Sequence, residues 1–237
     1  MITVCMATYN GQATIERQLR SILPQLSNTD EVLIVDDQSS DDTIQIINDV
    51  FQESDIPHQI FINQVNQGPI ASFERAITKA KGDYIYLSDQ DDQWFSNKIS
   101  VCQATFKLNK SDLVVHDAIV VDKNLQVIDN SWNHYNHNNV DQGVLGNLIK
   151  NGYTGAMMAF TNKVKQAILP FPRTIAMHDQ WIFLVTKKNR YRIDSIKEPL
   201  MNYVRHGNNV TGQKRKKLPM ILDRLTMIQC YWSIKRK

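Results

Sequence analysis

Three carboxylates, Asp89, Asp91 and Asp92, follow directly on the apolar run 85–88, in a stretch that begins at Asp83 and closes at Trp94. Carboxylates crowded at a strand end repel one another, and a cation or cationic ligand among them relieves the repulsion. Hard oxygen ligands at this spacing suit a divalent metal such as Mg2+ or Mn2+, above all one that also holds a phosphate. Taken alone, an Asp-x-Asp pattern is served as well by a solvated acidic turn, so its setting has to decide.

Two further polar groups stand in the same relation to an apolar run. Thr8-Tyr9-Asn10 closes the run that starts at Ile2, and Asp36-Asp37 closes residues 31–35. The Asp pair by itself reads equally as a helix-capping cluster or as a ligand site. A fourth group, His178-Asp179-Gln180-Trp181, opens a helix, where the positive end of the helix dipole favours an ionised Asp179. Arg205-His206-Gly207 leads into a polar turn, and His134 and His137, in the polar stretch 130–139, are weak metal candidates.

The elements that must position these groups alternate. Strands are expected over residues 2–8, 31–35, 59–62 and 85–88, and helices over 14–23, from Ser39 through Phe51, and from Pro69 to a stop at Gly82. Ser39 and Ser40 read as capping hydroxyls, and Pro69 sits where its missing N–H is harmless. Strands and helices in alternation make a mostly parallel sheet covered on both faces, with all strand C-ends on one edge. Ligands bind outside that edge. The three strand-end motifs therefore converge, and ligand binding there rests on their agreement. No G-x-G-x-x-G follows the first strand, and no P-loop pattern occurs.

Beyond Trp94 a helix is expected over 96–108, with Lys98 and Arg75 read as helix-surface residues, either of which could reach a phosphate, and a hairpin around Lys123-Asn124. Residues 130–139 read as a loop or mobile flap, 144–150 and 163–169 as helices, and 153–160, 190–196 and 199–205 as strands. No linker separates two domains.

The 237 residues suffice for a proper core, and 42% hydrophobic and 22% charged residues mark a globular chain. Net charge is +3, but from Gln213 onward eight Lys or Arg face one acid, Asp223. The basic character is thus a property of the tail. Three cysteines without a C-x-x-C pattern fit a reducing compartment. No signal peptide and no spanning segment is expected, so the chain reads as cytoplasmic.

Thr8-Tyr9-Asn10, Val35-Asp36-Asp37-x-Ser39-x-Asp41, Gly82-Asp83-Tyr84-Ile85 and Ser88-Asp89-x-Asp91-Asp92, in this order, resemble family 2 glycosyltransferases of GT-A fold. His178-Asp179 and Tyr203-x-Arg205-His206-Gly207 fit the later part, and the form with Gln90 and Trp94 is similar to a bacterial rhamnosyltransferase-type subgroup. The resemblance implies a metal-dependent inverting transferase, with Mn2+ or Mg2+ as cofactor. Its donor would be a nucleoside-diphosphate sugar, dTDP-rhamnose first and a UDP-hexose or UDP-N-acetylhexosamine second. Its acceptor would be a saccharide or lipid-linked saccharide of bacterial surface polysaccharide.

By position, the resemblance puts Tyr9 and Asp37 at the base, with Asp36 beside them, and Ala7, Thr8, Asn10 and Gln90 among the nucleotide-sugar contacts. Asp89 becomes a ribose or metal contact, Asp91 the metal ligand and Asp179 the base that deprotonates the acceptor. His206 would complete the metal or diphosphate site, and Arg205 would pair with phosphate. Asp92, Trp94, Gly155, His178 and Trp181 remain acceptor-side or undetermined, the two tryptophans reading first as packing residues. The competing class is a non-catalytic nucleotide-sugar-binding scaffold of the same fold.

The expected division is one GT-A domain over 1–212, with a nucleotide-sugar half (1–110) and an acceptor half (111–212), followed by a basic amphipathic helix over 213–237. That helix reads either as packed on the domain or as an interfacial helix at an anionic membrane. Nucleic acid is not an expected partner.

Overall fold

The chain begins with β1 (Ile2–Thr8), followed by α1 (Ile15–Ile22), β2 (Glu31–Asp36), α2 (Thr43–Gln52), β3 (His58–Ile62), α3 (Pro69–Lys79) and β4 (Tyr84–Ser88). This is the alternation expected. The computed structural model describes residues 1–205 and 217–235. Next come β5 (Gln93–Trp94), α4 (Lys98–Asn109), β6 (Leu113–Val121), β7 (Val127–Asp129), α5 (Trp132–Tyr135), α6 (Val144–Ile149), β8 (Met158–Thr161), α7 (Asn162–Ile168), α8 (His178–Lys188), β9 (Ile193–Val204) and α9 (Lys217–Ser233).

The strands form one sheet in the order β3-β2-β1-β4-β8-β6-β9-β5, with β7 on β6. From β3 to β4 every pair is parallel. β8 then runs antiparallel to both β4 and β6, and β6 and β9 are again parallel. Most paired residues thus lie in parallel ladders, as the α/β reading of the sequence expects. Alternate residues of each strand feed opposite faces. Cys5, Leu33 and Val35 pack under α3, α7 and α8, whereas Val4, Met6, Val32 and Ile34 pack under α1 and α2.

Several elements differ from expectation. The hydroxyls of Ser39 and Ser40 do not cap α2, whose N-cap is Asp42 without a side-chain bond. Residues 153–157 are not strand, because a 3-10 turn at Gly155–Met157 precedes the short β8. The two strands expected over 190–205 are one, β9, with register shifts against β6 marking the expected break. The stretch 130–139 is not a flap. Ser131 caps α5 by accepting from the His134 N–H, and Trp132 is buried, stacking on Tyr203 at 4.1 Å and donating to Thr154 Oγ1 at 2.9 Å. His134 is spent on Asp129, at 2.7 Å.

Helix α9 packs on α6 and α8 through Met227 and Cys230. No described helix is long and apolar enough to cross a membrane.

Candidate active site

Because β2, β1 and β4 are parallel neighbours, their C-ends share one edge, and the three motifs meet there. Tyr9 N–H donates to Gln90 Oε1 and Gln90 Nε2 donates to Tyr9 O, both at 2.9 Å. A Cβ on Gly11 would stand 2.3 Å from Gln90 Oε1, so only glycine admits this clamp. Ala7 lies in β1 opposite Val35, and Thr8 pairs with Asp36. Asn10 N–H donates to Ser39 Oγ at 2.8 Å, and Asn10 Oδ1 accepts from Ser40 N–H at 2.9 Å. The serines read as helix caps thus join two strand-end loops instead. The Tyr9 ring is half-exposed.

The Asp pair is buried and engaged. Asp36 accepts from Thr8 Oγ1 at 2.8 Å and from Ser39 Oγ at 2.6 Å on Oδ2, and from Ser39 N–H at 2.8 Å on Oδ1. Asp37 Oδ1 accepts from Asn63 Nδ2 at 2.7 Å and Gln67 N–H at 2.9 Å, and its Oδ2 from Gly68 N–H at 2.7 Å. A carboxylate has about four acceptor sites. Each therefore has three of its four sites filled, with one site left on Asp36 Oδ1 and one on Asp37 Oδ2, and Asp36 joins the first two loops. Arg75, read as a surface cation, donates to Asn63 Oδ1 at 2.6 Å and Ile62 O at 3.0 Å, and so steadies Asp37 through Asn63.

Asp89, Asp91 and Asp92 bring carboxylate oxygens within 4.8 Å of one another. Their turn is pinned from α1. Gln18 Nε2 donates to Ser88 Oγ at 2.7 Å, and Arg17 donates to the carbonyls of Asp91 at 2.5 Å and Asp92 at 3.3 Å. Burial, then Asp91, then Asp179 push the Asp89 carboxyl up. Asp92 is pushed up by burial, then by Asp91 and Asp89. Its Oδ1 accepts from Val204 N–H at 3.2 Å, and its buried Oδ2 has no hydrogen-bond partner among the described residues. Asp92 thus ties the metal-type turn to the end of β9. An orphaned carboxylate oxygen among three acids fits a hard divalent cation.

Beneath the acids lies Lys98, expected on the surface and in fact fully buried. Its Nζ donates to Ala156 O at 2.8 Å and sits 3.9 Å from the Trp94 ring centroid. Burial lowers its pKa to about 7, with Cys102, Asp92 and Asp89 acting in the opposite direction. The lysine opens α4 one turn before Cys102 and two turns before Phe106, on the buried face of the helix, and β9 and residues 155–157 close over it. Trp94 itself is a packing residue, set against Tyr86.

The antiparallel β8 brings the Gly155–Met157 turn to the same edge, and α8 starts against it. Asp179 is buried, and its Oδ1 accepts from Gln180 N–H at 2.7 Å and from Asn151 Nδ2 at 2.9 Å. Burial raises its pKa, opposed by His178, the Gln180 N–H, Asn151 and the Gly155 N–H. The helix dipole expected to favour the ionised form is outweighed by burial, which suits a proton acceptor. Asn151 escaped the sequence reading because it lies in an irregular connection. His178 is not exposed to an acceptor. It stacks on Phe73 at 4.4 Å, neither ring nitrogen has a hydrogen-bond partner among the described residues, and burial lowers its pKa. Trp181 is a packing residue, donating to Ile168 O at 2.9 Å. Arg205 closes β9, its backbone N–H on Val121 O and its guanidinium 6.0 Å from the Tyr135 ring centroid. His206 lies outside the described residues.

The family model described as glycosyl transferase family 2 matches residues 3–169. An uncharacterized glycosyltransferase of Haemophilus influenzae is 32% identical over 116 residues, 49% of this chain and 46% of that protein. The dTDP-rhamnosyl transferase RfbG of Shigella flexneri is 29% identical over 226 residues, 87% of this chain and 73% of its own. The chain thus spans less than half the length of some curated relatives.

Among solved structures, S. aureus TarS 1-349 in complex with UDP-GlcNAc superposes with a TM-score of 0.72 at 19% identity, over 96% of this chain and 66% of that one. The mannosyltransferase PcManGT of Pyrobaculum calidifontis, in complex with GDP-Man and Mn2+, gives 0.64 at 14% identity, over 95% and 68%. At these identities the likeness shows the fold. With the family model covering well over half its length, the chain belongs to glycosyl transferase family 2.

Proposed function

We propose that the protein transfers a sugar from a nucleoside diphosphate to an acceptor hydroxyl with inversion, in bacterial surface polysaccharide synthesis. The observation that carries this is the facing of two acidic groups across one sheet edge. Lys98, beneath the three-carboxylate turn after β4, donates to Ala156 O at 2.8 Å, and the adjoining Gly155 abuts His178, the neighbour of Asp179 at the start of α8.

On this reading Tyr9 stacks on the base, and Asp37 Oδ2 accepts from it. Asp91 and Asp89, with His206, would hold Mn2+ or Mg2+. A divalent ion there would supply positive charge against the departing diphosphate. Arg205 lies at the end of β9 to pair with phosphate. Asp179 removes the acceptor proton from the side opposite the leaving group, and a single displacement needs no covalent nucleophile.

The donor is dTDP-rhamnose, a reading supported by the long match to the Shigella rhamnosyl transferase. The acceptor is a saccharide carried on a lipid, which places the work at a membrane surface.

The test is a thermal-shift screen of nucleotide sugars with Mn2+, followed by transfer assays on two variants. A ligand at about 100 times its Kd adds roughly 2.7 kcal/mol. For a chain of this size that raises Tm by about 5–10 °C. dTDP-rhamnose should give the largest shift, and Asp91→Ala should abolish its Mn2+ dependence. Asp179→Asn should keep the shift and lose transfer. Near-full transfer by Asp179→Asn would remove the base from this position.

A further inference from the structure

Helix α9 has two apolar faces. One is buried through Met227 and Cys230. At about 100° per residue, a different arc carries Ile221, Leu222, Leu225 and Trp232, all exposed, Trp232 at 72%. A helix docked on a domain in water turns a polar face outward. On α6, packed beside α9, Leu145 and Ile149 are exposed as well, at 79% and 65%. Large apolar side chains grouped on adjoining helices mark an interaction surface, unlike the scattered single ones any protein carries.

Charge selects the occupant. By the same helical geometry Arg224 borders the apolar arc of α9 on one side. Lys188 of α8 stands 4.4 Å from the Tyr231 ring centroid and 4.9 Å from that of Trp232. From Gln213 onward the sequence holds eight Lys or Arg and one acid. An apolar arc with an aromatic ring, edged by cations, matches the boundary between anionic headgroups and acyl chains. The same face of a second copy would bring like charges together.

We infer that the α6–α9 face docks on an anionic lipid bilayer and so turns the acceptor side of the cleft toward the membrane. Helix α6 makes the link. Its Asn147 carbonyl accepts from Gln180 Nε2 at 2.6 Å, and Asn151, just past its end, holds Asp179. The orientation rests on Asp179 being at the acceptor site, whereas the docking stands on the surface alone.

The test is co-sedimentation of the full chain with phosphatidylcholine vesicles, with and without phosphatidylglycerol, in the absence of donor and acceptor. The chain should pellet with the anionic vesicles and be released by salt. Leu225→Glu and Trp232→Ser, both at exposed positions, should each weaken partition about tenfold or more while melting as wild type does. The proposal is overturned if the wild type stays in the supernatant or if both variants bind as it does. It is also overturned if light scattering shows a dimer that Leu225→Glu splits, since the face would then join two copies. Loss of transfer with vesicle binding intact counts against the transferase reading alone.

Discussion

Replacing Gly155 with alanine adds one methyl group where the structure has no room for it. The new Cβ would lie 2.5 Å from His178 Nε2 and 3.4 Å from the neighbouring ring carbons. To reach ordinary van der Waals separation the ring must retreat by about 1 Å. It has nowhere to go, because its other face is stacked on the fully buried Phe73 at 4.4 Å. Overpacking of this kind costs about 1–3 kcal/mol. In a chain of this size each kcal/mol is worth roughly 2–4 °C of Tm.

The strain does not stay local. His178 is the first residue of α8 and Asp179 the second, so a displaced ring levers the carboxylate that the proposed reaction needs. A misplacement of about 1 Å at a reacting group costs on the order of a hundredfold in rate. Gly155→Ala should therefore lower both Tm and kcat while leaving donor affinity intact, because Tyr9, Asp37 and Asp91 lie on other loops. Thermal melts, donor titration and initial rates at saturating acceptor measure the three quantities. Adding His178→Ala should give back part of the lost Tm, since it removes the clashing ring, and that non-additivity identifies the contact. A Gly155→Ala protein that melts and turns over like the wild type refutes the packing argument and the link from Gly155 to Asp179.

Two further substitutions test the electrostatics. Asn151→Ala removes a hydrogen bond to a buried carboxylate, worth about 1.5–3 kcal/mol to its charged form. The Asp179 pKa, already raised, rises further, so the acid limb of kcat/KM against pH moves to higher pH; an unmoved limb would separate Asn151 from the base. Lys98→Met removes a buried cation whose pKa is lowered from 10.5 to about 7. Between those values the unfolded chain binds the extra proton, so this group's stability contribution is present above pH 10.5 and lost as pH falls through 7. Denaturant melts of the wild type should therefore show a rising contribution across that window that Lys98→Met lacks, and identical profiles would place the ammonium in water.

How far the chain could be read in advance follows from the range of each interaction. Periods of two and 3.6 are local, so strands ending at Thr8, Asp36 and Ser88 and the helices between them are written in the order of residues. Their parallel arrangement then puts Tyr9, Asp37 and Asp91 on one edge without reference to any contact. Where side chains point within that frame is another matter. Asp36 and Asp37 look like open ligands in the sequence, yet partners from Thr8, Ser39, Asn63 and Gly68 occupy most of their acceptor sites. Lys98 looks like surface, and it is buried because residues 156 and 201 cover it. Residues 130–139 look loose in composition, and Trp132 anchors them.

The sequence by itself determined the family, the parallel sheet edge and the identity of the acids gathered there, because these depend on residue type and short spacing. Tertiary structure alone decided which of those acids meet open space and which are spent on holding loops. It also decided that Asp179 is poised by Asn151, 28 residues away in sequence, and that α9 hides one apolar face and offers another. Each of these depends on which distant residue fills the neighbouring volume. Burial sets the cost of a charge and the worth of a hydrogen bond, and no local pattern encodes it.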